Sequence, residues 1–165
     1  MNNDSDRVLR EQVLALLRGG NAHMSLDEAI ADFPLDRINE RAPNVPYSFR
    51  QLLEHVRIAQ EDILEFTRDP DWVSPSWPEG HWPAPDEEAD PEQWNATINA
   101  IRRDLGAMQQ LVADPANSLT DDLPHAPGYT LLREALLVAD HNAYHLGEFA
   151  ILRQVMGTWP HERAG

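Results

Sequence analysis

The chain holds seven histidines and no cysteine in 165 residues. Any metal site must therefore be built from imidazole and carboxylate rather than thiolate. Three of the histidines stand out. His141 and His145 lie four apart in Asp-His-Asn-Ala-Tyr-His. On a helix that spacing puts both rings on one face, about 5–6 Å apart at Cβ, where they can chelate one divalent ion. Val138 on the same side marks that face as inward. His55 falls beside Leu52 and Ala59 on the apolar stripe of another helix, so it points toward the same interior. Three neutral imidazoles from two helices make a site with open positions for water or a substrate. From the residues alone a second reading stays open, in which each ring is a hydrogen-bonded core histidine.

The neighbouring residues narrow the chemistry. His-Asn-Ala-Tyr-His has the frame of the zinc-protease motif, but Asn142 stands where that mechanism needs a glutamate base, which excludes the protease. Glu148 lies one turn beyond His145 and is a fourth ligand, an outer partner, a base, or simply solvated. Asp140 flanks the pair and reads as solvent-facing. His81, in Trp-Pro-Glu-Gly-His-Trp-Pro, is a lid histidine within possible reach of the site. His23, His125 and His161 read as structural or exposed. There is no Gly-rich phosphate loop, no Walker pattern and no Gly-x-Ser-x-Gly elbow.

These residues need helices to position them. Leu9, Val13, Leu16 and Leu17 predict a helix over 5–18, ended by Gly19-Gly20. Ser25 and Glu28 form a capping box for a short piece that stops before Pro34. Residues 36–47, with Pro43 and Pro46, read as a loop. Ser48 and Gln51 cap a helix over 49–67 whose stripe is Leu52, Val56, Ala59, Ile63 and Phe66. Asp90, Pro91 and Gln93 open a helix that carries Trp94, Ile98, Ile101, Leu105, Met108 and Leu111 and ends at Asp114-Pro115. Thr130 caps the last helix, which runs to Met156 and stops at Gly157. No strand alternation is visible. Between the second and third long helices lie Pro70, Pro75, Pro78, Pro83 and Pro85 with Trp72, Trp77 and Trp82. This proline density forbids a helix, and the tryptophans predict an ordered excursion over 68–90 that packs its rings onto the domain, as anchors or as the wall of a substrate pocket. The acidic run Asp86-Glu87-Glu88 reads as a solvated loop.

The expected fold is all-α, a four-helix bundle in a single domain over 1–165. A helix of about 19 residues spans about 28 Å, and the Pro/Trp-rich crossover is long enough to run back along it. The second and third helices are then parallel, in up-down-down-up order. Apolar residues make up 42% of the chain, enough for a core. The net charge is −15, and all 13 basic residues are arginine. Such a surface argues against nucleic-acid partners and against anionic membranes. The N-terminus, Met-Asn-Asn-Asp-Ser-Asp, is unlike a signal peptide, and no run of 18 apolar residues exists, so a soluble cytoplasmic protein is the expectation.

The sequence resembles the DinB-like superfamily, related to the YfiT-type metal-dependent hydrolases. The resemblance is carried by Gln51-Leu52-Leu53-Glu54-His55, by His141-Asn142-Ala143-Tyr144-His145-Leu146-Gly147-Glu148, and by the closing Leu152-Arg153-Gln154-Val155-Met156-Gly157. It implies an up-down-down-up bundle, a divalent metal (nickel or zinc) on His55, His141 and His145, and a homodimer. Relatives of this kind include thiol-dependent transferases that use bacillithiol or mycothiol, and a maleylpyruvate isomerase. The long Trp-rich segment departs from the shortest members, which leaves the substrate open.

Three classes of function follow. The first is an enzyme acting on a small-molecule substrate: a thiol S-transferase using an external low-molecular-weight thiol, or a hydrolase with Glu148 or His81 as base. The second is a non-catalytic metal- or small-molecule-binding stress protein. The third is a bundle whose histidines are purely structural.

Overall fold

The computed structural model describes residues 3–160; His161 lies outside them. Among the described residues the chain forms five α-helices and one small antiparallel sheet. In chain order these are α1 (Asn3–Arg18), α2 (Leu26–Ile30), α3 (Phe49–Arg68), α4 (Pro91–Ala113), β1 (Asp122–Leu123), β2 (Ala126–Thr130) and α5 (Leu131–Met156). Each helix start is set by local chemistry. Ser25 and Glu28 close a capping box on α2, Ser48 and Gln51 on α3, Asp90 and Gln93 on α4. Thr130 accepts the Arg133 N–H at the start of α5. Each such cap contributes about 1 kcal/mol. Gly157 ends α5 in the left-handed region at φ 63°, where glycine meets no Cβ penalty.

Paired residues fix the relative directions of the long helices. Phe49 packs on Phe149 at 4.6 Å between ring centres, and Gln60 meets Asn142 at 2.9 Å, so α3 and α5 run antiparallel. Phe49 lies 5.9 Å from Trp94, Thr97 donates to Glu54 at 2.6 Å, and Gln60 donates to the Ile101 carbonyl at 2.8 Å. The rising numbers on both helices make α3 and α4 parallel. Arg10 of α1 donates to the carbonyl of Val112 at the far end of α4, while Leu17 lies beside Ile101 and Leu105, so α1 opposes α4.

The apolar interior is in two parts. One gathers Phe33, Phe49, Leu52, Val56, Trp94, Leu146, Phe149 and Leu152. The other gathers Val13, Leu17, Leu64, Met108, Leu131, Ala135 and Val138. Truncating Phe149 to alanine would cost about 3–5 kcal/mol. On α3 Gln60 falls between Val56 of one cluster and Leu64 of the other, and on α5 His141, Asn142 and His145 fall between Val138 and Leu146, so polar side chains stand where the two clusters meet. The predicted stripes are shifted by a residue in places. Leu16 is exposed rather than buried, and Leu64 rather than Ile63 is the buried residue in the last turns of α3.

Two sequence expectations are corrected. Strands were not expected, yet Asp122 pairs with Thr130 and Leu123 with Ala126. The strands are too short for alternation to register, the hairpin turns through Pro124 and His125, and Gly128 sits within β2 at φ 87°. The acidic run is exposed, but not simply solvated. Glu87 holds the buried guanidinium of Arg50 at 2.6 Å, a pairing across 37 residues that no local pattern announces.

The excursion after α3 is ordered and tied down at several points. Gln51 donates to the Ala84 and Pro85 carbonyls, and Asn39 bonds Ala89 in both directions. Asp62 accepts from Trp72 Nε1 at 2.8 Å and lies 3.1 Å from His81 Nε2. The three tryptophans do not all anchor it. Trp72 and Trp82 are partly buried, but Trp77 is 72% exposed. Among the described residues no helix is long and apolar enough to cross a membrane.

Candidate metal centre

His55 comes from the middle of α3, and His141 and His145 come from successive turns of α5. Their Nε2 atoms form a triangle with edges of 3.2, 3.2 and 3.1 Å. His55 is 3% exposed and His145 7%. The outer nitrogens decide what the inner ones can do. His55 Nδ1 lies 2.7 Å from the His81 carbonyl, which only accepts, so Nδ1 carries the proton and Nε2 presents a lone pair. His145 Nδ1 lies 2.6 Å from Glu148 Oε2, with the same result. At least two lone pairs therefore face one another across the triangle, an arrangement that could hold a cation between them.

The electrostatics agree. Burial lowers the pKa of all three rings, to about 4 for His141 and His145. The neighbouring imidazoles lower His141 and His145 further. The rings are thus neutral near pH 7, the state that binds a metal. The donor set fits a divalent ion. Metal–nitrogen bonds of about 2.0–2.1 Å in tetrahedral geometry place the nitrogens about 3.3 Å apart, close to the observed edges. The three rings together make the one group of potential ligands that meets a common point among the described residues.

The surroundings orient and cover these rings. Trp82 stacks on His55 with ring centres 4.1 Å apart and planes 2° from parallel, and Tyr47 lies 5.1 Å from Trp82. Tyr144 stands edge-on to His145 and is 67% exposed. Glu148 touches the outer nitrogen of His145 and not the triangle. Its other oxygen is 3.5 Å from the Tyr47 hydroxyl. Burial raises the Glu148 pKa, opposed by Tyr47 and by His55. Burial also raises that of Tyr47, helped by Glu148.

His81 reaches the site by its backbone carbonyl, while its ring is turned to Asp62. Asp140 is exposed. His23 bonds the Met24 carbonyl, and His125 bonds the Phe66 carbonyl at 2.7 Å; neither approaches the triangle. The sequence did not point to Tyr47, Asp62 or Gln60. Asp62 carried a usable signal, since it lies seven residues after His55 and so on the same helix face. Tyr47, in a loop, carried none.

Comparison with known proteins gives one match. The family model of the DinB superfamily matches residues 20–149, a span that includes all three histidines and Glu148. No curated protein and no solved structure matches.

Proposed function

The chain belongs to the DinB superfamily, and we propose from that premise that it binds one divalent metal, nickel or zinc, through His55, His141 and His145. The observation that carries this reading is the triangle of Nε2 atoms with edges of 3.1–3.2 Å, two of them held lone pair inward by fixed acceptors on the far side of the ring. The same reading takes the fold as an up-down-down-up four-helix bundle over 1–165, supported by the parallel α3–α4 and antiparallel α3–α5 and α1–α4 pairs.

We further propose thiol S-transferase-like chemistry on a small-molecule substrate, with hydrolysis as the second form. A divalent ion on three neutral imidazoles keeps its full positive charge, which favours a thiolate over a thiol and lowers the pKa of a ligating water. The chain has no cysteine, so the thiol comes from a low-molecular-weight cofactor. Glu148 is engaged by His145 Nδ1 and turned from the triangle, and His81 presents a carbonyl there rather than its ring. Both placements favour the transferase over a hydrolase, which needs one of them as base. In this reading Glu148 and the His81 carbonyl orient metal ligands. Trp82, Tyr47 and Tyr144 supply aromatic surface to a partly apolar electrophile. A homodimer in the cytoplasm belongs to the same reading; Leu137, Tyr144, Ile151 and Val155 are exposed apolar residues of α5 available for it.

The test is metal content by elemental mass spectrometry, on protein purified without a histidine tag. About one nickel or zinc per chain is expected, lost in a His141→Ala/His145→Ala variant. No metal after reconstitution would refute both enzyme forms. Metal without consumption of any low-molecular-weight thiol by model electrophiles, and without hydrolysis across a broad substrate panel, would leave the alternative, a metal- or small-molecule-binding stress protein.

A further inference from the structure

A histidine that offers Nε2 to a metal carries its proton on Nδ1, and that N–H normally meets an acceptor that fixes the ring. His55 has the His81 carbonyl and His145 has Glu148. Nδ1 of His141 is buried and has no acceptor. One residue along, Oδ1 of Asn142 is buried and has no donor. Asn142 cannot simply turn over. The Ile101 carbonyl only accepts, so Gln60 must present its NH2 group there, at 2.8 Å. That leaves Gln60 Oε1 facing Asn142, which must present its own NH2 group, at 2.9 Å. Oδ1 of Asn142 is thereby committed to another direction.

This chain of amides stands between two apolar clusters, where Gln60 is 1% exposed. Apolar side chains would pack there without needing partners, so packing alone does not account for it. We propose that Asn142, locked by Gln60 and the Ile101 carbonyl, is the positioning residue for His141, its Oδ1 accepting the Nδ1–H proton when a cation fills the three-histidine centre. The proposal rests on the metal reading above. It gives each of the three ligands its own outer acceptor: a carbonyl, an amide and a carboxylate.

The test uses zinc-loaded full-length protein labelled with 15N in its histidine rings. In the wild type, His141 should show a slowly exchanging Nδ1–H proton. In Asn142→Leu that proton should be lost to exchange while those of His55 and His145 stay, and zinc affinity by chelator competition should fall about 10–100-fold. Asn142→Asp keeps an acceptor in place and should retain the proton, shifted downfield by the charge-assisted bond, with affinity near wild type. If Asn142→Leu does not fold, the downfield shift in Asn142→Asp decides alone. An unchanged His141 proton in the variants overturns the proposal while the metal reading stands. A wild type that takes up no zinc overturns both.

Discussion

Arg153 and His145 lie about two turns apart on α5, both buried, and their surroundings treat them in opposite ways. The Arg153 guanidinium is 0% exposed. It donates to the carbonyls of Ala29, Ala31 and Thr158 at 2.6–2.9 Å and lies over the Trp159 ring at 4.1 Å. Arg10 repeats the pattern at the end of α4, on the carbonyls of Val112, Asp114 and Asn117, with Asp6 as counter-ion. In both cases donors meet acceptors, and positive charge sits where helix C-termini leave carbonyls unmatched. At the histidines, lone pairs meet lone pairs, and burial holds the rings uncharged. The first kind of buried polar group completes itself and holds the fold. The second leaves its lone pairs unmatched and could hold a cation. The difference, rather than burial or polarity as such, separates scaffold from site.

Substitution should give opposite signs in the two regions. Arg153→Met strands at least three carbonyls and is expected to cost about 3–5 kcal/mol of stability in urea unfolding. His141→Leu, measured on metal-free protein, should stay within about 1 kcal/mol of wild type or exceed it, because it removes a mismatched polar group. A loss for His141→Leu comparable to that for Arg153→Met would break the comparison.

Acid sharpens the same contrast. His141 and His145 titrate near 4 in the folded chain and near 6.5 when unfolded. Below about pH 6.5 the unfolded chain binds more protons, so stability falls as pH drops from 6.5 toward 4 and is fully present above that window. The urea midpoint of metal-free protein should follow that course. A His141→Leu/His145→Leu variant should lose most of this slope, whereas Arg153, charged throughout, contributes none.

Smaller effects are expected one contact further out. Asp62→Leu frees Trp72 and His81 together and so loosens the carbonyl that orients His55. Metal affinity should drop about 10-fold by chelator competition, and wild-type affinity would show that the excursion does not act on the centre. Glu148→Gln keeps an acceptor for His145 Nδ1 and removes only its charge. A loss of affinity of about three-fold is expected, below the range for removing such a partner outright. Complete loss of metal would instead make Glu148 a ligand.

Features set within a few residues could be read from the sequence. The boxes at Ser25, Ser48 and Asp90 close over three residues, and the His141–His145 pair is one helical turn. His55 was legible because an imidazole on the stripe of Leu52 and Ala59 is out of place unless it has a partner inside. What stayed hidden spans long separations: Arg50 with Glu87, Gln60 with Ile101 and Asn142, and the His81 carbonyl on His55. The position of Trp77 was hidden too. Tryptophan in a proline-rich segment gives no sign of whether its ring turns in or out, and neighbouring Trp72 and Trp82 went the other way.

The stacking of Trp82 on His55 makes the protein its own optical gauge. Of the five tryptophans, this one lies face to face with a ring of the candidate centre, so its emission should respond to a quenching ion held by that ring. Zinc, with a closed shell, should leave the emission bright, whereas an open-shell ion such as nickel should quench it. Binding of a quenching ion then becomes visible in unlabelled protein, with Trp82→Phe as the blank.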